Sequence, residues 1–351
     1  MINDKNLKQE GGDKSTNLQG QNVNIYNGIS YSDAKEIFND LFKTNFLELK
    51  YEAADIAQAR AEEITAKFLD KLNTKSPDSI AQFKEPAMQD ALFKTQKEFA
   101  KSGDQDLGDL LVDILVDRAQ TKTRNMLQLV LDESLKIAPS LTIEQLDTLS
   151  LNFLLMRTKS TSIVDLDGLS KMIQRDIEPF INNMLSEDNQ YNYLEFHRCG
   201  LTRTGSYGNL EVNWSKMYKG LFSKGLSKDE IDKILGEENK YPSLLIECLH
   251  DSSLLQISVM DDNILEEVMR ELNVTDELKP KYQQIFNQST MSAEEVKLFL
   301  LKINPSLKQV FEIWSSSRFN KLELSSVGIA IAHANYRRRT GNTLDLKIWI
   351  N

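Results

Sequence analysis

The sequence predicts a mostly α-helical protein, with a multi-helix body, a short N-terminal β leader and a small C-terminal α+β module. Three observations predict it. Apolar residues recur at three- and four-residue steps through most of the chain. Serine or threonine caps are followed three residues later by Glu or Gln at several points. Seven prolines and 15 glycines in 351 residues leave room for long regular elements.

Residues 1–12 are polar, and the stretch GDKSTNLQGQNVNIYNG follows. Gly12, Gly20 and Gly28 recur every eight residues, with Leu18, Val23 and Ile25 between them. Val23 and Ile25 alternate with Asn22 and Asn24, which is strand spacing. A strand this short cannot bury its apolar face alone. The leader therefore reads as an assembly or docking element, with Leu18, Val23 and Ile25 as its contact residues.

Ser30 then offers a helix cap with Asp33 three residues on. The spacing of Phe42, Phe46, Leu49, Ala53, Ile56, Ile64, Phe68 and Leu72 predicts one long helix from Tyr31 to Leu72. Such a helix either packs along several others or self-associates as a coiled coil. Asn73 to Asp78 breaks it, and a helix over 80–101 ends at Gly103. LGDLLVDILVDRAQ reads as a buried helix and TRNMLQLVLDESLKIA as the next. Thr142 and Gln145 form a capping box for EQLDTLSLNFLLMR.

Residues 159–190 are helical with polar punctuation. The glycine- and aromatic-rich stretch 191–214 alternates around Leu210, Val212 and Trp214, which predicts short strands or a structured loop at a domain boundary. Further capping boxes at Ser227–Glu230 and Ser292–Glu295 make 215–318 helical again. LELSS alternates like a strand, and VGIAIAHANYRRRTG is a helix closed by Gly341. LDLKIWI places Leu344, Leu346, Ile348 and Ile350 on one strand face. Strand, helix, strand suggests a winged-helix-like order. The expected divisions are 1–28, 29–190, 191–318 and 319–351.

Hydrophobic residues make up 40% of the chain and charged residues 27%, a soluble globular mixture. A net charge of −10 disfavours a broad nucleic-acid surface. Two cysteines are too few for a disulfide scaffold, and the polar N-terminus lacks a signal sequence, which together point to the cytoplasm. No run of 18 apolar residues exists, so no membrane span is expected.

No P-loop and no strand-linked GxGxxG is found. His197-x-Cys199 and Cys248-x-His250 offer four zinc-type ligands, but neither pair has the usual ligand gap. The competing reading makes both cysteines small buried hydrophobes. A Cys–His catalytic dyad lacks an orienting third group. Glu48-Leu49-Lys50 and Asp345-Leu346-Lys347 are nuclease-like triplets without evident partner acids. Arg337, Arg338 and Arg339 form the sharpest basic cluster. Consecutive helical positions diverge by about 100°, so they cannot all face one groove. They either complement the helix C-terminus or contact phosphates. Trp349 faces away from the apolar stripe and is an interface candidate. No cofactor is expected.

The leader through Phe46, the run LLVDILVDRAQ to LNFLLMR, and the tail LELSSVGIAIAHANYRRRTGNTLDLKIWI resemble an uncharacterised bacterial protein family. Members with this leader often sit near defence or mobile-element genes. The resemblance implies a role in phage conflict and assigns no catalytic residue. The reading that follows is a non-enzymatic, self-associating interaction or sensor protein, with its own copies as partner and a phage or host macromolecule as a further one. The alternatives are a nucleic-acid-binding regulator using the C-terminal module and a cryptic effector nuclease.

Overall fold

The computed structural model describes residues 30–45, 51–236 and 241–350. The leader residues Leu18, Val23 and Ile25 and the Glu48–Lys50 triplet lie outside them. The helices in order are α1 (Tyr31–Asn45), α2 (Tyr51–Lys75), α3 (Pro86–Ser102), α4 (Gln105–Gln120), α5 (Met126–Ile137), α6 (Ile143–Arg157), α7 (Leu166–Met172), α8 (Glu178–Ile181) and α9 (Asp188–Phe196). Strand β1 (Gly200–Thr202) precedes α10 (Leu210–Met217) and α11 (Lys228–Leu235). Strands β2 (Leu245–Glu247) and β3 (Leu255–Ile257) precede α12 (Asp262–Glu271), α13 (Lys279–Gln288), α14 (Ala293–Ile303) and α15 (Leu307–Ser316). Strand β4 (Leu322–Leu324) leads into α16 (Ser326–Thr340).

The mostly helical class holds. Among the described residues the only sheets are two antiparallel pairs, β1 with β4 and β2 with β3. The caps carry the boundaries. Ser30 and Asp33 exchange side-chain and backbone bonds at 3.1 and 3.2 Å, opening α1 one residue later. Capping boxes form at Thr142–Gln145, Ser227–Glu230 and Ser292–Glu295. Gly103 and Gly341 close α3 and α16 in the left-handed conformation at φ 63° and 73°.

The expected apolar face of the first helix and the expected C-terminal strand are corrected. The helix expected over Tyr31–Leu72 is described as α1 and α2, with Phe46 and Leu49 outside the described residues. In α2, Ala57 and Ala61 are buried, whereas Ile56 is 52% exposed. The strand expected over Leu344–Ile350 is a 3₁₀ turn at Leu346–Ile348. The Asp345 carboxylate accepts from the Lys347 amide at 3.1 Å and turns the backbone there. Leu346 and Ile350 are buried and Ile348 is exposed, so the predicted stripe is split. Trp349 packs edge-on against Phe153 at 4.8 Å and donates from Nε1 to the Arg157 carbonyl at 2.9 Å. The alternation at Leu210, Val212 and Trp214 belongs to α10, where Leu210 and Trp214 bury one helical turn apart.

The main core runs from Ala34 to Ile350 and is organised around α16. Ten consecutive residues of α16, Gly328 to Arg337, are buried. A helix buried on every side must be apolar or have each polar group satisfied. The run GIAIAHAN supplies small apolar residues, and α4, α5 and α6 pack around it. Helix α6 is equally enclosed from Gln145 to Leu155. The two helices meet along a polar seam. Asn335 donates to Asp147 and to Ser150 at 2.9 Å each, and Ser150 donates to the Ala332 carbonyl at 3.2 Å. A second, smaller core gathers Ile231, Leu265, Tyr282 and Phe286 from α11, α12 and α13.

Candidate ligand-binding site

Helix α16 carries its charged C-terminal turn into the same interior. Arg337 is 6% exposed. Its Nη1 and Nη2 grip the two Asp117 carboxylate oxygens at 2.8 and 3.0 Å, and Nη2 also donates to the Asp113 carbonyl at 2.8 Å. Its Nε lies 2.8 Å from the Asp113 carboxylate, which Lys71 approaches at 2.8 Å from the other side. Burial works against the Arg337 charge, but Asp117 and Asp113 outweigh it and push its pKa upward. Arg338 pairs with Asp106 and bonds Asn335. Arg339 donates to the Pro179 carbonyl at 2.5 Å and lies 3.6 Å from Asp147. All three arginines thus have partners within the fold.

Beside this lattice opens a cavity of about 680 Å³. Lys75 and Arg337 form part of its wall, with Thr121, Lys122, Asn125 and Leu127 from the α4–α5 connection. His333 of α16 and residues Thr343 to Lys347 complete it. The size falls within the range of about 300–1,000 Å³ usual for small-molecule sites. Lys122 and Lys347 are exposed and form no ion pair among the described residues. Lys75 has its pKa lowered, first by burial and then by Arg337, with Asp113 opposing.

His333 is 1% exposed. Its Nε2 lies 2.8 Å from the Leu344 carbonyl oxygen, which can only accept, so Nε2 carries the proton. The other nitrogen, Nδ1, is buried without a hydrogen-bond partner among the described residues. Burial holds the ring below the ordinary imidazole range, opposed by the bond to Leu344. The unfolded chain therefore takes up a proton here first as pH falls. The stability contributed by His333 is complete above about pH 6.5 and declines as pH drops from there towards the lower folded value. Urea unfolding of wild type and His333→Gln between about pH 7.5 and pH 5 reads this directly. Wild type should lose stability more steeply than the variant; parallel profiles would show that the buried ring carries no linkage.

The cysteine–histidine pairs are placed separately. His197 packs tilted against Tyr193 at 4.4 Å between ring centres, and Cys199 is fully buried with its thiol pushed up to about 12 by burial. The Cys248 thiol faces the Ser223 carbonyl at 3.5 Å, and His250 Nε2 donates to the Leu221 carbonyl at 2.7 Å. Among the described residues no group of three or more His, Cys, Asp or Glu is arranged to hold a metal ion. Asp345 and Lys347 sit on the 3₁₀ turn at the cavity rim. The cavity itself was not foreseen from sequence. The signal that could have found it was His333, a lone polar ring inside the apolar run of α16.

A family model described as ":-like" matches residues 28–350. The chain belongs to that family. Every element that walls the cavity, from Lys75 to Lys347, lies within the matched span, whereas Leu18, Val23 and Ile25 precede it. No curated protein and no solved structure matches the chain. Among the described residues no helix is long and apolar enough to cross a membrane.

Proposed function

We propose that the protein is a non-enzymatic sensor that takes a small ligand in this cavity and self-associates through its N-terminal leader. The observation that carries the reading is the construction of the cavity. Its walls come from α2, the α4–α5 connection, α16 and the turn after α16, which are far apart in the chain. A ligand touching all four would tie the two ends of the described fold together around a buried helix, which is how occupancy becomes a structural signal. The Cys199 thiol, held near 12 by burial, supplies almost no thiolate nucleophile, which supports binding over catalysis at that residue. The alternation of Val23 and Ile25 with Asn22 and Asn24, a strand spacing too short to bury an apolar face alone, supports the leader as the assembly element. The sequence resemblance supports a setting in bacterial anti-phage defence, with a phage or host macromolecule as further partner.

Light scattering after size exclusion tests the assembly half. The full-length protein should be an oligomer and a chain lacking residues 1–28 a monomer. Equal masses per protomer number in both would remove the leader from assembly.

A further inference from the structure

We propose that the groove between α3 and α5 receives the N-terminal leader of a second copy of this chain. The inference rests on the reading that the leader drives assembly, and it names the surface on which the leader docks.

The groove holds about 580 Å³. Ala87 and Ala91 of α3 line one side, Met126, Leu129 and Val130 of α5 the other, and Val327 of α16 also contributes. Met126 is 50% exposed and Leu129 46% exposed, so the α5 side keeps two large apolar side chains in water. Adjacent apolar surface of this kind marks an interaction site.

Charge selects the occupant. The charged side chains of the groove are Asp90, Lys94, Asp132, Glu133 and Lys136. Asp90 pairs with Lys94, Glu133 with Lys136, and Asp132 with Arg118. No charge is left over for a charged partner, so the groove suits an apolar segment without charge. Residues 15–29, STNLQGQNVNIYNGI, contain no Asp, Glu, Lys or Arg, in a chain in which charged residues make up 27%. They include Leu18, Val23 and Ile25. Alternate residues of an extended chain stand about 6.6 Å apart. Residues one turn apart on a helix, such as Ala87 and Ala91, stand about 6 Å apart along its axis. The strand spacing of Val23 and Ile25 therefore matches the spacing of the groove walls.

The point of entry fits an exchange between copies. Tyr31 at the start of α1 donates to Asp70 of α2 at 2.9 Å, and Phe38 packs on Phe83 at 4.7 Å. Phe83 shortly precedes Pro86, the first residue of α3, so the leader joins the fold near the end of α3 that carries Ala87. From Leu18 to Ser30 the chain spans about 40 Å when extended, enough to cross to a neighbour's groove. Two copies that exchange leaders reciprocally form a closed two-fold assembly.

Light scattering after size exclusion, run on the full-length protein over a range of concentrations, tests the assignment. Met126→Asp/Leu129→Asp puts two charges on exposed positions of the groove and should raise the apparent dissociation constant of the oligomer at least about tenfold. Leu298→Asp, at a 61% exposed position of α14 outside the groove, should leave it unchanged. Circular dichroism should show both variants folded. A disulfide gives the second readout, since both native cysteines are buried. A chain with Ile25→Cys mixed with a chain with Leu129→Cys should form, under mild oxidation, a linked species of twice the chain mass beyond what either gives alone. A groove variant that assembles like the wild type, or a mixture that gives no such link, overturns the proposal while an oligomeric wild type keeps the assembly reading. If Ile25→Cys/Leu129→Cys closes within one chain and the mixture gives no link, the leader docks on its own copy and the exchange falls. If the wild type is a monomer throughout, both fall.

Discussion

Arg337→Met is expected to cost about 3–5 kcal/mol of folding stability, because it leaves the half-buried Asp117 without its counter-charge and the buried Asp113 with only Lys71 and Lys75. Asp113 is 1% exposed and Asp117 is 18% exposed on its side chain, and the guanidinium bridges them. Methionine fills much of the same volume but neutralises nothing. Lys71 remains 2.8 Å from Asp113, which places the cost at Asp117 and the backbone carbonyl of Asp113 as well as at the carboxylate. Urea unfolding followed by circular dichroism measures the loss. Adding Asp117→Asn to Arg337→Met should recover part of it, since the second change removes one stranded charge. The loss should persist at high salt, where exposed pairs are screened and buried ones are not. A cost below about 1 kcal/mol, at the level of an exposed pair, would refute the structural role.

This ion lattice explains what the sequence could and could not disclose. Local chemistry was legible. Thr142, Ser227 and Ser292 cap their helices through residues three positions away, and Gly341 ends α16 by its own left-handed backbone. The buried character of α4 was also plain from its apolar run. Arg337, by contrast, finds Asp117 at a separation of 220 residues, and nothing in RRR distinguishes the arginine that turns inward from a solvated one. The cavity shares that obscurity, since it joins positions 75, 122, 333 and 347. The tail misled for a different reason. Leu344, Leu346, Ile348 and Ile350 alternate as a strand would, but among the described residues no edge pairs with them. Trp349 instead anchors on Phe153, and Asp345 turns the backbone. Period-two alternation identifies a strand only where another strand supplies the ladder.

Gly328→Ala should be as damaging as the loss of Arg337, although it adds a single methyl group. Elsewhere in an α-helix the same change would stabilise by up to about 1 kcal/mol, because alanine is the better helix former. Here a Cβ on residue 328 would lie 1.8 Å from the Cys199 carbonyl oxygen and 2.8 Å from its carbon. Both are backbone atoms, so no rotamer change relieves the contact. The approach is close because the chain entering β1 is bonded to the start of α16. Ser325 donates from its amide to the Cys199 carbonyl at 3.0 Å and from its hydroxyl to the Arg198 carbonyl at 2.6 Å. Arg198 itself adopts a positive φ of 57° to make that crossing. A methyl group at 328 must either break these bonds or displace α16, which is enclosed by α4, α5 and α6. The expected destabilisation is about 3 kcal/mol or more, at the upper end for an overpacked core. Gly205→Ala is the internal control, since a Cβ there meets nothing within 4 Å. Urea midpoints of the two variants decide the matter. If Gly328→Ala unfolds at or above the wild-type midpoint, the tight seat of α16 against Cys199 is wrong, and with it the buried position that sets both the arginine lattice and the cavity wall.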